Sequence, residues 1–331
     1  MAVPSIPAEP AWVAELVDQI DRDFMAGPPM MLQLPVPTLL AGLWAALRES
    51  ALAGPTDRVV REVIAASISR ANSCPFCVDA HTAAASALGA DDAAKAVRAG
   101  SPTEIGRDDL RRAAAWAAAT VTPGDALLAD PPFAAIDLPY AAGTALVFHF
   151  INRMVSTFLK PWPVTMPASV RRLGVMTRVD GFFPGRLLGV GNLEPGAALR
   201  FCPATPTVPE LDVLAPAPDV AAGVAALVAA AKAAGEAELS DSCRRVVASA
   251  IAAWDGRPPG LGVGWRDEVI TEVAPDERPA AALAITCALA SHRVDHALVT
   301  SARMAHPSDA AVVSIAAWSS ARAMTRIASW L

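Results

Sequence analysis

Apolar residues recur three and four positions apart along most of the chain, in segments dominated by alanine. This spacing is typical of helices that bury one face. Alternating runs of Val, Ile, Thr and Tyr, which favour strands, are almost absent, and the chain contains a single Tyr. The pattern predicts an all-α protein. Helices are expected in the first half at 11–26, 36–53, 55–72, 75–88, 107–121 and 138–159, and in the second half at 219–234, 240–254, 276–290, 292–305 and 308–331.

A stretch rich in Pro and Gly separates these two groups of predicted helices. It has no sustained helical period, and a connection of this length usually joins two domains. The sequence therefore predicts a helical unit at 1–165, a connection at 166–210 and a second helical unit at 211–331.

The two predicted units resemble each other. Arg153 and Arg326 lie 173 positions apart, and other residues of the two final helices share this offset. The Val-Asp pair at 78–79 recurs 216 positions later, at 294–295. These matches favour a duplicated unit with 43 extra residues in the first copy. We expect the copies to pack as a pseudo-symmetric pair, an intrachain pseudo-dimer, with homo-oligomerisation left open.

Composition narrows the class of protein. Hydrophobic residues make up 53% of the 331 residues, which argues against disorder. The formal net charge of −6 provides no positive field for nucleic acid or an anionic membrane. The best candidate for a membrane span, 214–234, contains two prolines, Asp219 and Lys232. Acidic residues interrupt the N-terminal stretch where a secretory signal would lie, so we expect a cytoplasmic protein.

Four residues of the first unit form the candidate chemical site: Glu62, Cys74, Cys77 and His81. If Cys74 caps a helix that begins at Pro75, Cys77 lies in the first turn, where free N–H groups and the helix dipole favour a thiolate. His81 lies one turn later on the same face and could take the proton of the thiol. Glu62, on the preceding helix, could return to the site and orient the imidazole.

These residues resemble the active-site signature of the AhpD-like alkylhydroperoxidases in the carboxymuconolactone decarboxylase superfamily. The likeness covers Glu62, the Cys-x-x-Cys pair twelve positions later, His81 and the small-residue tail that ends at Gly89. It implies an all-α fold and a thiol peroxidase, an antioxidant oxidoreductase with a redox-active disulfide. In that chemistry Cys77 is peroxidatic, Cys74 is resolving, and Glu62 with His81 relays the proton.

The resemblance also implies the partners. They are a hydroperoxide substrate and a dithiol reductant, such as a lipoyl-bearing protein, with no cofactor and no metal. Pro75 and Phe76 stand where the best-studied relatives have a histidine between the two cysteines. The 216-position offset places the cysteine positions of the second unit on Ala290 and Arg293, which makes that unit degenerate.

Other interpretations of the four residues remain open. The Cys74–Cys77 pair could switch a redox sensor or scaffold, or be an inert pair of thiols. The four side chains could instead bind zinc. The superfamily also includes lactone decarboxylases and isomerases, which are not expected to need a Cys-x-x-Cys pair.

Overall fold

The computed structural model describes residues 10–159, 193–206 and 208–331, and these residues form helices and no β-strand. The predicted all-α class is confirmed. The helices of the first unit are α1 (Ala11–Asp23), α2 (Pro28–Met31), α3 (Pro37–Leu47), α4 (Arg58–Ala71), α5 (Pro75–Ala87), α6 (Asp91–Ala99), α7 (Asp108–Ala119), α8 (Ala126–Ala129) and α9 (Leu138–Phe158). Those of the second are α10 (Pro218–Glu238), α11 (Asp241–Ala252), α12 (Gly264–Thr271), α13 (Arg278–Ala290), α14 (His296–Ala305) and α15 (Asp309–Ala328).

Every helix predicted from the apolar spacing is present, with ends that differ by a few residues. Two helices of eight or more residues were not predicted, α6 and α12. Both are short, and α12 has no fully buried side chain, although Trp265, Val269 and Ile270 pack partly buried against the core of the second unit. The predicted helix at 36–53 continues beyond α3 as a π-helical turn, Arg48–Leu52. Most of the predicted connection, 166–192, lies outside the described residues.

Helices α3 and α10 cross so closely that their backbones touch. A β-carbon on Gly42 would lie 2.9 Å from the Leu227 α-carbon, and one on Gly223 would lie 2.8 Å from the carbonyl oxygen of Ala45. Gly223 follows Gly42 by 181 positions, and Leu227 follows Ala46 by the same number. Gly42 therefore packs against Leu227, and Gly223 packs beside Ala46, the residue of the first unit that corresponds to Leu227. Reciprocal contacts of this kind are typical of a two-fold symmetric interface. The two units pack as a pseudo-symmetric pair.

The closing helices α9 and α15 also pack against each other, and one hydrophobic core contains residues from both units. Polar contacts, buried at Arg153 and partly buried at Trp330, also join the units. Arg153 of α9 donates to the carbonyl oxygen of Ala288 at 2.8 Å, and Trp330 donates its indole N–H to the carbonyl oxygen of Thr120 at 2.8 Å. The surfaces where the two units meet are therefore part of the protein core.

The correspondence between α4 and the second unit differs from the prediction. Asp57 caps α4 and Ser240 caps α11, 183 positions later. Arg61 donates to the carbonyl oxygens five and eight residues before it, and Arg244, again 183 positions later, does the same. The counterpart of α4 is therefore α11. The 216-position offset would have made it α13.

The misleading Val-Asp match has a physical cause. Asp295 is the N-cap of α14, whereas Asp79 lies inside α5. Aspartate is common at the N-caps of unrelated helices, so this identity is not evidence that the two segments correspond. With the corrected offset, the cysteine positions fall on Arg257 and Gly260 instead of Ala290 and Arg293, so the second unit still lacks a dithiol.

By length and composition, α10 is long and apolar enough to cross a membrane, and within the described ranges it alone meets that test. Half of its most apolar window is buried inside the protein, where it packs against α3 and α15. Its apolar character is thus used in the contact between the units.

Substitution at the crossing should destabilise the whole chain. We expect Gly42→Val to lower the free energy of unfolding by about 2 kcal/mol, because the added carbons collide with the backbone of α10. Gly264→Val is the matched control, since nothing lies within 4 Å of a β-carbon there, and it should stay within about 0.5 kcal/mol. Urea denaturation measures both. Equal stabilities would contradict the close crossing.

Candidate functional site

The turn between α4 and α5 places the two cysteines. Cys74 is the N-cap of α5 and Pro75 its first residue, as predicted. Ser73 adopts a left-handed conformation with φ of 55°, which lets the chain reverse within a few residues. The Cys74 N–H then donates to the carbonyl oxygen of Ser69 at 2.9 Å, so the new helix starts against the end of α4.

The two thiols face each other in the interior. Cys74 and Cys77 are free cysteines, 1% and 2% exposed. Their sulfurs lie 3.0 Å apart. A disulfide is about 2.05 Å long, so the bond could form with a shift of roughly 1 Å and no movement of either helix.

Glu62 returns to the site from α4 and meets His81. Its Oε2 lies 2.7 Å from His81 Nδ1, and its Oε1 accepts from Arg58 Nε at 2.7 Å. Burial alone would raise the pKa of Glu62, but the charges and hydrogen bonds of Arg58 and His81 outweigh it and lower that pKa to about 2. Because the carboxylate is ionised, His81 Nδ1 carries hydrogen. Nε2 is then left to accept a proton.

Burial corrects the expectation that Cys77 rests as a thiolate. Desolvation raises the pKa of Cys77 well above its usual value, and the neighbouring Cys74 adds to this effect. The position in the first helical turn does not overcome that cost. The resting site therefore holds a protonated Cys77, which needs a base at the moment of reaction.

One side chain opposes this rise. The carboxamide of Asn152, on α9, hydrogen-bonds Cys77 and lowers its pKa. Asn152 Oδ1 accepts from Asn72 at 2.9 Å, and Asn152 Nδ2 donates to Ser69 Oγ at 3.0 Å. The amide is held in one orientation, with its remaining N–H available to the sulfur.

His149 anchors this network from below. Asn72 also donates to His149 Nδ1 at 3.0 Å, and His149 Nε2 lies 2.9 Å from Thr120 Oγ1. Complete burial, and then the charge of Arg153, lower the pKa of His149 well below its usual value. His149 is thus a neutral core histidine. It is connected to Cys77 through the side chains of Asn72 and Asn152 and does not contact the dithiol directly.

An apolar cavity of about 40 Å³ leads to the dithiol. Cys77 and His81 are its polar lining. Phe148 and Phe76 form part of its wall, and the segment 24–30, from the end of α1 into α2, covers it. The ring of Phe148 stands edge-on to His81, with centroids 4.5 Å apart. The apolar walls of this entrance favour an uncharged group over a charged one.

The other three cysteines are separate from the site. Burial raises the pKa of Cys202 to about 11 and of Cys243 to about 12. Cys287 lies between Thr157 and Ser320, within hydrogen-bonding distance of both hydroxyls. Across the part of the chain that the structure describes, no group of three His, Cys, Asp or Glu side chains could hold a metal ion.

Sequence reasoning brought together Glu62, Cys74, Cys77 and His81, and the structure places all four in one site. It did not identify Arg58 or Asn72. Arg58 carried a signal, because it precedes Glu62 by four positions on one helix, the spacing of an ion pair. Asn72 carried none, since its role depends on α9.

Removal of the Asn152 amide should make Cys77 less acidic. We expect Asn152→Ala to raise the pH at which Cys77 reacts with iodoacetamide, measured peptide by peptide with mass spectrometry. Ser67→Ala is the control, because Ser67 is buried on α4 with a hydroxyl that has no hydrogen-bond partner within the described ranges. An unchanged pH midpoint in Asn152→Ala would show that the amide does not act on the thiol.

Ionised Glu62 should stabilise the fold above its unfolded pKa. Its pKa is about 2 in the folded protein and 4.5 unfolded, so about 3 kcal/mol is present above pH 4.5 and is lost as pH falls towards 2. Glu62→Gln should therefore be less stable than the parent at pH 7, and this difference should shrink on acidification. Denaturant unfolding between pH 7 and pH 2 measures it. The exposed Glu15→Gln should show no such convergence, and a pH-independent difference for Glu62→Gln would contradict the assignment.

The chain is similar in sequence to known proteins. The model of the carboxymuconolactone decarboxylase family matches residues 38–123, which include Glu62, both cysteines and His81. The chain is 33% identical over 320 residues to a protein named alkyl hydroperoxide reductase Rv2159c, from Mycobacterium tuberculosis. That alignment covers 96% of this chain and 90% of the relative. No solved structure matches.

The family match falls on the first unit, whereas the relative is similar over both units. The sequence similarity to that relative therefore extends over both units. On these grounds the chain belongs to the carboxymuconolactone decarboxylase family, in the superfamily of AhpD-like proteins.

Proposed function

We propose that this protein is a thiol-dependent hydroperoxide reductase. The observation that carries the proposal is a buried pair of thiols 3.0 Å apart, beside a His81–Glu62 pair, at the end of an apolar cavity. The name of the mycobacterial relative supports the same reaction class.

The first step oxidises Cys77. His81 Nε2 takes the proton of the Cys77 thiol, and the thiolate attacks the terminal oxygen of the hydroperoxide. The O–O bond breaks, and the alkoxide leaves as the alcohol with the proton that His81 held. Cys77 becomes a sulfenic acid. Asn152 stabilises the thiolate, and Glu62 stabilises the imidazolium that forms in between.

The second step closes the disulfide. Cys74 attacks the Cys77 sulfenic sulfur, the S–O bond breaks, and water leaves with the thiol proton. An external dithiol then reduces the Cys74–Cys77 disulfide by exchange and is itself oxidised. A dihydrolipoyl group on a partner protein is the reductant that we propose, in the reducing cytoplasm that the sequence predicts.

The entrance favours organic hydroperoxides. The cavity walls are apolar apart from Cys77 and His81, so an alkyl group gains free energy there by leaving water. Hydrogen peroxide gains nothing from such walls. We therefore assign alkyl hydroperoxides as substrates.

The two cysteines should give different products when each is removed. With cumene hydroperoxide and dihydrolipoamide, Cys77→Ser should lose all turnover, because the attacking sulfur is gone. Cys74→Ser should react once and stop as a sulfenic acid, since nothing resolves it. Dimedone labelling and mass spectrometry locate that acid. Cys243→Ser is the control and should keep full turnover.

Other outcomes would overturn the proposal. A dimedone label on Cys74 in the Cys77→Ser protein would reverse the two roles. A disulfide that forms without turnover would favour the redox sensor, and stoichiometric zinc in the reduced protein would favour a metal site.

A further inference from the structure

The second unit contains a cavity of about 540 Å³ between α10, α11 and α15. Its position matches that of the candidate redox site in the first unit. The lining residues Val228 and Lys232 of α10 follow Leu47 and Ala51, which line the small cavities at the redox site, by the 181 positions that relate Gly42 to Gly223. This offset was fixed by the helix crossing, independently of either cavity.

The other two walls correspond in the same way. Arg245 and Ala248 of α11 follow Glu62 and Ala65 by the 183 positions that relate the helix caps. On α15, the 173-position offset of the final helices gives three further pairs. They are Ala321 with Phe148, Arg322 with His149, and Thr325 with Asn152.

The cavity is larger than its counterpart for two reasons. Ala321 replaces the phenyl ring of Phe148, and no residue of α12, α13 or α14 reaches the cavity in the way that α5 covers the redox site. Trp318 forms an apolar wall, and Gly235 makes room for it, since a β-carbon there would collide with the indole. A volume of this size is typical of small-molecule sites.

The cavity has arginines at two positions that are acidic or neutral in the first unit. Arg245 stands in place of the Glu62 carboxylate, and Arg322 in place of neutral His149. Both side chains are exposed, and neither has a partner within the described ranges. The other cations are paired, Lys232 with Glu236 and Arg244 with Asp241.

The acidic residues of the cavity limit the charge that a ligand can carry. Glu210, Glu236 and Asp241 also line the cavity, so a ligand with several negative charges would meet repulsion. Two unpaired guanidinium groups match one carboxylate, which each can bind through two N–H groups. The apolar wall matches a hydrocarbon chain.

We propose that this cavity binds an amphiphile with a single carboxylate, namely a medium-chain fatty acid. The carboxylate lies between Arg245 and Arg322, and the chain lies along Trp318, Val228 and Ala248. The second unit, which lacks the dithiol, thus keeps a ligand site where the first unit keeps its chemistry.

Isothermal titration calorimetry of the full chain with sodium decanoate tests the site. We expect one binding site per chain. Arg245→Gln should weaken binding at least fivefold and the Arg245→Gln/Arg322→Gln double variant at least twentyfold, because the carboxylate loses its partners. Ala248→Phe should weaken binding by occupying the part of the cavity where the hydrocarbon chain would lie. Arg112→Gln, at an exposed arginine of α7 in the first unit, is the control and should bind as the parent does.

Two comparison ligands make the outcome specific. Decanol should bind much more weakly than decanoate, and inorganic phosphate should not compete. Equal binding of decanol, or decanoate binding that survives both Ala248→Phe and the double arginine variant, would overturn the proposal. The proposal would also be overturned if decanoate produced no heat on titration and did not displace a labelled decanoate from the protein.

Discussion

The contact between α3 and α10 is the constraint on which the rest of the structure depends. Two helices can approach until their backbones touch only if the residue at the crossing has no side chain, and Gly42 and Gly223 meet that requirement from opposite sides. The approach draws α9 and α15 into one core, so the first unit is closed by the second. The cavity at the dithiol is thereby lined by α3 and α9 in fixed positions, although no residue of the second unit lines it.

Burial then governs the chemistry. A dithiol sealed from water rests protonated, because desolvation outweighs the helix N-terminus beneath Cys77. The same burial makes each neighbouring charge or dipole more effective. Ionised Glu62 fixes the tautomer of His81, and Asn152 directs an amide at the sulfur. In the mechanism that we propose, Cys77 reacts only after His81 has taken its proton, and the protonated thiol would resist adventitious oxidation.

The sequence predicted those parts of the fold and of the site that a local pattern determines. Helix periods predicted the fold, and helical spacing put Cys77 and His81 on one face. The short turn between two helices and the family resemblance added Glu62. Properties set by distant contacts were missed. The sequence could not show that α9 supplies Asn152, or that burial would reverse the acidity expected of Cys77. The repeat and the 173-position offset of its final helices were predicted, but the 216-position offset was wrong, because it rested on Asp295, which is a helix N-cap.

The corrected register explains how one unit could lose its chemistry without losing its place in the fold. The contacts between the units use Gly42, Gly223 and the α10 surface, none of which depends on a dithiol. No helix covers α11 as α5 covers α4. A carboxylate at position 245, which corresponds to Glu62, would therefore have no histidine to orient. An arginine there faces water at little cost. The packing of the duplicated helices therefore constrains the shape of both cavities, while the charge inside each follows from what covers it.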